Sequence, residues 1–440
     1  MDIVTISIIV AFVILFVLLF SGIPIAWSML LAAIGGFAIL GQVGKGLNLA
    51  AFTGWSLATR ESLICIPLYL LMGNLLYTTG MIGKLFDFAM AIFSKLRLKG
   101  GLAMAVVLAS GIFGAVSGSI AAAISTFGPV VVGEAEKNNY NKNFLASVLA
   151  MSGSMAALIP PSLNLILFGI ITEVSIAKLF MAGIIPGVLL MVLYCITIYV
   201  IVSVKPALGA SQMKSVSYRE IGSLSVSNLP VVIIIVIVLG GIYLGWFTPT
   251  ESSAAGVVAV ALLAVILRKL NIHDSLTSIT RSAVVFGMIL ILLTGAFTLA
   301  GFVSLSQSIA LASRYIAEMG LGAYGFLAMV FVLFLVIGCA IGSAGIMVLS
   351  LPILFPIAMS LDIDPIMFGI FCNVSVAIAE VTPPVALNIY LMQGVAGDPE
   401  ITSVGMMKLV WPYLIAAAFI TALIVVFPQL CTWLPNSMSY

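Results

Sequence analysis

Serine, threonine and asparagine side chains gathered around paired prolines are the residues of this sequence best suited to chemistry. In "ALIPPSLNLILFG" (157–169) a double proline precedes Ser162 and Asn164, and in "EVTPPVALNIYLMQG" (380–394) Thr382 precedes a double proline that Asn388 follows. Each proline removes a backbone donor and bars the residue before it from helical geometry. In a purely apolar stretch, such a break leaves N–H and C=O groups that no water can satisfy. Hydroxyls, amides and freed carbonyls can instead strip the water from a small cation. The positive end of a half-helix can hold a carboxylate without a buried arginine. The chemistry suggested is therefore reversible binding of ions rather than bond-making.

The remaining side chains point the same way. One histidine, His273, lies in a charged stretch and reads as a surface loop residue. The five cysteines (Cys65, Cys195, Cys339, Cys372 and Cys431) show no CxxC spacing and read as small buried hydrophobes. With no nucleophile–base or metal cluster, an intramembrane enzyme is disfavoured. Glu380 is the acid beside the second break, and two roles stand open for it: a cation or proton site, or a paired carboxylate at an interface. Glu251, three residues after Thr248, reads as the cap of a helix start.

The elements that must position these groups lie in lipid. Of the 440 residues, 63% are hydrophobic and 7% charged, against about 25% charged in soluble domains. The net charge of +2 and the absence of a long basic run exclude nucleic acid as a partner. Full-length spans are expected near 3–20, 24–43, 62–79, 101–116, 179–204, 229–247, 252–268, 282–303, 322–340 and 407–430. The first lacks a basic flank and a cleavage site and reads as a retained helix. The basic clusters at 94–100, 205–220 and 268–274 place those connections in the cytoplasm, and the extreme N-terminus, with Asp2 and no Lys or Arg, reads as outside.

Two regions, about 110–175 and 334–395, do not resolve into plain spans, and they repeat each other. "GAVSGSIAAAISTFGPV" (114–130) stands 42 residues before its double proline, counted from Gly118 to Pro160. "GCAIGSAGIMVLSLPIL" (338–354) stands 41 before its own, from Gly342 to Pro383. Order, spacing and residue type agree, so the unit is duplicated. Duplicated, Gly/Pro-interrupted hydrophobic segments are the strongest sequence pointer to a secondary transporter's binding site.

"FGAVSGSIAAA", "IPPSLNLILFG", "GWFTPTESSAAG" (245–256) and "EVTPPVALNIY", in this order, resemble the large permease subunit of tripartite ATP-independent periplasmic (TRAP) transporters. So does "LICIPLYLLMGNLLYTTG" (63–80), and the likeness covers essentially the whole chain. The resemblance implies an all-α polytopic protein of the bacterial inner membrane. Its fold would be that of elevator-type ion transporters, with two inverted repeats, each a re-entrant hairpin plus a broken helix. Laid on this sequence, 101–175 and 321–395 would be the two transport-domain repeats, with hairpins near 105–137 and 334–361, broken helices near 143–172 and 366–395, and 138–143 as a polar connection. Residues 1–100 and 176–320 would be scaffold, and 396–440 a C-terminal membrane helix. The implied activity is sodium-driven, ATP-independent import of an organic acid such as a C4-dicarboxylate or sialic acid, and no P-loop GxxxxGK[ST] occurs. The implied partners are a small four-helix membrane subunit and a periplasmic substrate-binding protein. A stand-alone sodium/carboxylate symporter, a sodium/proton antiporter and a channel are the rival readings.

Residue by residue, the resemblance places two sodium ions, one at each break, and no organic cofactor or transition metal. The first would be held by Ser117 and Ser119 with the backbone of Ala156, Ile159 and Pro161. The second would be held by Gly338 and Gly342 with Ala379, Thr382 and Val385. The substrate would sit between the breaks near Ser162, Asn164 and Asn388.

Overall fold

The computed structural model describes residues 3–80, 84–209, 216–269, 271–305, 320, 322–338 and 341–438, and the described elements are all helical. Cys339, the end of the 322–340 span and residues 210–215 of the second basic cluster lie outside them. Nine described helices are long and apolar enough to cross a membrane. Their ends are set by local capping. Ser119, Asn141, Ser162, Ser175 and Thr402 each accept a backbone N–H of the helix they open, and Asp364 accepts two, from Ile366 and Met367. At Glu251 the expected cap is a full capping box: its N–H donates to the Thr248 hydroxyl at 3.2 Å, and its carboxylate accepts the Thr248 N–H at 2.8 Å.

The duplicated regions fold as two hairpins, each followed by an interrupted helix. Helices Gly101–Ser117 and Ile120–Lys137 form the first hairpin, and Gly322–Gly338 and Ser343–Ser360 form the second. The first interrupted helix runs through Lys142–Ser152, Met155–Leu158 and Leu163–Thr172, the second through Pro365–Ala379 and Leu387–Ala396. The two units are inverted. Lys142, opening the first interrupted helix, donates to Asp398 at 2.6 Å and pairs with Glu400 at 3.0 Å, just beyond the end of the second. The start of one unit therefore shares a face with the end of the other. Asn143 adds a bond to the Glu400 carbonyl (2.9 Å) and accepts the Thr402 N–H (2.9 Å). The Lys142 ammonium holds the Asp398 carboxyl below the usual carboxylate range. Because the first hairpin follows the basic cluster at 94–100, this face is the cytoplasmic one.

The remaining helices fall into two sets by what they touch. Ile176–Val204 packs on the first hairpin, on both flanks of the first break and on Pro365–Ala379. Ser403–Val426 packs on Lys142–Ser152, Pro365–Ala379 and Ile176–Val204. The helices Ile3–Phe20, Ile25–Ile39, Val43–Ala58, Cys65–Thr78, Pro249–Ile266 and Ile272–Leu305 pack mainly on one another. This second set meets the repeats where Cys65–Thr78 touches the first hairpin and Ile272–Leu305 the second; Leu85–Leu96 and Tyr218–Ile235 also pack on the first hairpin.

Three helices were not legible as spans. Val43–Ala58 mixes Lys, Asn and Thr into its apolar face, and Gln429–Asn436 is too short to cross. Leu85–Leu96 buries Leu85, Phe86, Ala89, Ala91 and Ser94 along one side, and Lys95 lies 3.8 Å over the Tyr218 ring. That is the pattern of a helix at the cytoplasmic surface. His273, expected in a loop, is exposed but belongs to the first turn of Ile272–Leu305. The four described cysteines are free thiols, buried except for half-buried Cys195.

Candidate functional site

Each hairpin tip lies against the break of its own repeat. Gly118, between the arms of the first hairpin, has φ +60°. A Cβ there would stand 2.5 Å from the carbonyl oxygen of Pro161, so only glycine lets the tip approach the proline pair. One turn earlier, Gly114 faces Ala156 so closely that a Cβ would lie 2.7 Å from its Cα. The second repeat makes the matching approach: Gly338 closes on Ala379, one residue before Glu380. Both double prolines carry cis Pro–Pro bonds.

The structure thus brings Ser117 and Ser119 to Ala156 and Pro161, and Gly338 and Gly342 to Ala379 and Glu380. Ser117 is buried, and its hydroxyl accepts the Ser119 N–H at 3.4 Å; the Ser119 hydroxyl caps the next helix through Ala122 N–H at 3.3 Å. Ile159 leaves the helical region (φ −76°, ψ 118°) one residue before the prolines. Thr382 donates its hydroxyl proton to the Ile378 carbonyl at 2.8 Å, giving its oxygen the polarity a cation ligand needs. Val385 is 37% exposed at the far side of the second break. All three residues expected at the substrate are buried. Asn164 and Asn388 each sit second in their half-helix. Ser162 is committed to the fold: its hydroxyl caps Leu163–Thr172 and donates to the Ala157 carbonyl.

Glu380 proves to be a helix cap. Gly342 has no side chain to cap Ser343–Ser360, and the buried Glu380 carboxylate accepts the Ser343 N–H at 2.6 Å in its place. A carboxylate at a helix N-terminus complements the dipole there. Among the described residues, no group of three His, Cys, Asp or Glu comes together. Apart from the Glu380 carboxylate, the described oxygen donors around the breaks are carbonyls, hydroxyls and amides.

Two features were not foreseen. Asn373, wholly buried in Pro365–Ala379, donates to the Ala157 carbonyl of the other repeat, so that one oxygen serves both Ser162 and Asn373. Its Oδ1 has no hydrogen-bond partner among the described residues. An asparagine inside an apolar helix was the available signal. The second is Arg281, which lines a cavity of ≈ 560 Å³ beside the first hairpin tip, with Asn74, Tyr77, Ser117, Ser119 and Thr280. On the opposite face, Arg60 reaches the Ile170 carbonyl (3.5 Å) and Glu173 (3.4 Å) at the end of the first interrupted helix.

Inverted repeats of hairpin and broken helix, with polar backbone turned inward at paired breaks, define a multi-pass transport protein of the membrane rather than an enzyme. The chain matches the family described as "Tripartite ATP-independent periplasmic transporter, DctM component" over residues 12–430 and belongs to it. It is 33% identical to the C4-dicarboxylate TRAP transporter large permease protein of Pseudomonas aeruginosa, covering 85% of this chain and 86% of that protein. To the sialic acid TRAP transporter large permease protein of Vibrio cholerae it is 28% identical, over 95% and 96%. To the ectoine/5-hydroxyectoine large permease protein of Ruegeria pomeroyi it is 27% identical, over 96% and 97%. The YdaH transporter of Alcanivorax borkumensis has a similar fold, with a TM-score of 0.61, 16% identity and 83% and 85% of the two chains covered. The chain is therefore a large permease subunit of a TRAP transporter, a multi-pass protein of the bacterial inner membrane.

Proposed function

We propose that this subunit imports an organic acid with sodium ions, without ATP, by moving its two repeats, together with the helices packed on their breaks, as a body past the other helices. The observation that supports this most directly is the seating of each hairpin tip on its own proline break. The fit would leave oxygen donors beside each break, with half-helix N-termini next to them. Sodium ions would sit at Ser117, Ser119, Ala156, Ile159 and Pro161, and at Gly338, Gly342, Ala379, Thr382 and Val385. The carboxylate would lie between them near Ser162, Asn164 and Asn388.

The moving body would include helices Ile176–Val204 and Ser403–Val426, because both pack on broken-helix segments of the two repeats. The substrate would be an organic acid; relatives are named for transport of C4-dicarboxylate, sialic acid and ectoine. A small membrane subunit and a periplasmic binding protein would complete the assembly. Exposed Trp27, Phe52 and Trp55 offer apolar surface to lipid or to that subunit.

Thr382 tests the ion assignment. In proteoliposomes holding the complete transporter, Thr382→Ala is expected to raise the sodium concentration for half-maximal uptake about tenfold or more, as loss of one charge-assisted contact would. Thr382→Ser keeps the hydroxyl and should change it less than about twofold. Unchanged sodium dependence in both Thr382→Ala and Ser117→Ala would move the ions elsewhere.

A further inference from the structure

We infer that Arg281 is a cytoplasmic-side binding residue for the substrate carboxylate, engaged when the breaks face the cell interior; this rests on the organic-acid reading above. The ≈ 560 Å³ cavity beside the first hairpin tip is lined by the first repeat and by two helices of the set that packs mainly on itself. Ser117 and Ser119 come from the tip, Asn74 and Tyr77 from Cys65–Thr78, and Thr280 and Arg281 from Ile272–Leu305. Among the described residues, Arg281 is the one charged residue lining it, and it makes no ion pair or hydrogen bond there. Arg281 is exposed in the polar cytoplasmic first turns of Ile272–Leu305, just before the apolar span begins, with hydroxyls and an amide around it, so its guanidinium is placed to meet an anion in the cavity.

The cavity lies toward the cytoplasm. Helix Cys65–Thr78 ends at Gly80, whose carbonyl accepts the ammonium of Lys269 (3.4 Å) from the cytoplasmic cluster. Arg281 follows the same cluster on a helix whose Ser282 accepts from Asn74 (3.0 Å) and whose Ser278 lies 3.4 Å from the Thr78 hydroxyl. A carboxylate leaving the hairpin tip toward the cell therefore passes a guanidinium, whose planar fork suits bidentate carboxylate binding.

Because Arg281 belongs to the helices that stay in place under the proposed motion, it meets the substrate in one orientation only. It would act on exit and on inhibition by internal substrate, and leave sodium binding alone. The two arginines on the opposite flanks of the hairpin system thus differ. Arg60 is tied to Glu173 and the Ile170 carbonyl, whereas Arg281 is left for a ligand.

The test uses proteoliposomes containing this chain, its small subunit and external binding protein, which selects the outward-oriented copies. Unlabelled succinate is loaded inside, where it meets the cytoplasmic face, and sodium-driven uptake of labelled succinate is recorded. Arg281→Gln is expected to raise the internal succinate concentration for half-inhibition about tenfold to a hundredfold, the loss typical of a charged hydrogen-bonded contact. The sodium concentration for half-maximal uptake and the melting temperature should stay unchanged, and Arg281→Lys should recover part of the inhibition. A merely interfacial or structural arginine would not separate these readouts. Half-inhibition equal to wild type in Arg281→Gln overturns the assignment while leaving the transport reading intact. A wild-type complex that neither takes up succinate with sodium nor responds to internal succinate overturns both.

Discussion

Gly118→Ala is expected to reduce uptake to about a hundredth of the wild-type rate or less, the scale of loss when a binding constellation is displaced by about an ångström. Two penalties combine there. The left-handed backbone (φ +60°) costs a non-glycine residue roughly 1–2 kcal/mol. The new methyl would also lie 2.5 Å from the Pro161 carbonyl oxygen, a backbone atom that cannot swing aside. The hairpin tip must then retreat from the break, and the proposed first sodium pocket opens. The equivalent glycine of the second repeat behaves differently. Gly342 has an ordinary extended backbone (φ −67°, ψ 161°), and a Cβ there would meet only Glu380 Oε1 at 3.7 Å. Gly342→Ala should therefore transport within about twofold of wild type, since that spacing is ordinary van der Waals contact. Initial uptake rates of the two variants, at matched amounts of folded protein, check the contrast. Equal loss in both, or none in Gly118, would show that tip contact is not what limits transport.

Asn373→Leu is expected to have the second largest effect. Its amide ties one repeat's first half-helix to the carbonyl before the other repeat's break, within a fully buried setting. Removing the donor weakens the bonding of the Ala157 carbonyl and should cost about 1–3 kcal/mol of stability. Uptake should fall about tenfold because the breaks lose their common reference point. Asn373→Asp should be worse than the leucine variant, since a buried carboxylate would face a carbonyl oxygen. Thermal unfolding in detergent and initial uptake rates measure the two consequences. In a double-mutant cycle with Ser162→Ala, the two should couple, because both donate to Ala157. Additive effects would mean that the shared carbonyl is not an energetic link.

The hairpins and broken helices were legible in the sequence for a physical reason. Proline and glycine act locally, so Pro160, Pro161, Pro383 and Pro384 mark a break whatever surrounds them, and duplication confirmed the reading. The starts of both broken helices fell within a residue of the expected 143 and 366. Connections across the fold carry no such local mark. Nothing adjacent to Asn373 points to Ala157, more than two hundred residues away, and Glu380 showed its role as a cap only when Ser343 was placed beside it. Helix Ile176–Val204 looks like any other span in sequence; only its packing attaches it to the breaks. Arg281 was hidden by its neighbours: it follows a cytoplasmic basic cluster and reads as the end of it.

Sodium coupling itself is tested most directly by flux. Proteoliposomes carrying this permease with its small subunit, supplied outside with the binding protein and labelled organic acid, are given an inward sodium gradient and no ATP. The expected result is accumulation above the external concentration, collapsing when potassium replaces sodium or when a sodium ionophore dissipates the gradient. Accumulation that continues undiminished in potassium, or that appears only when ATP is added, would contradict the assignment of the two breaks as sodium sites.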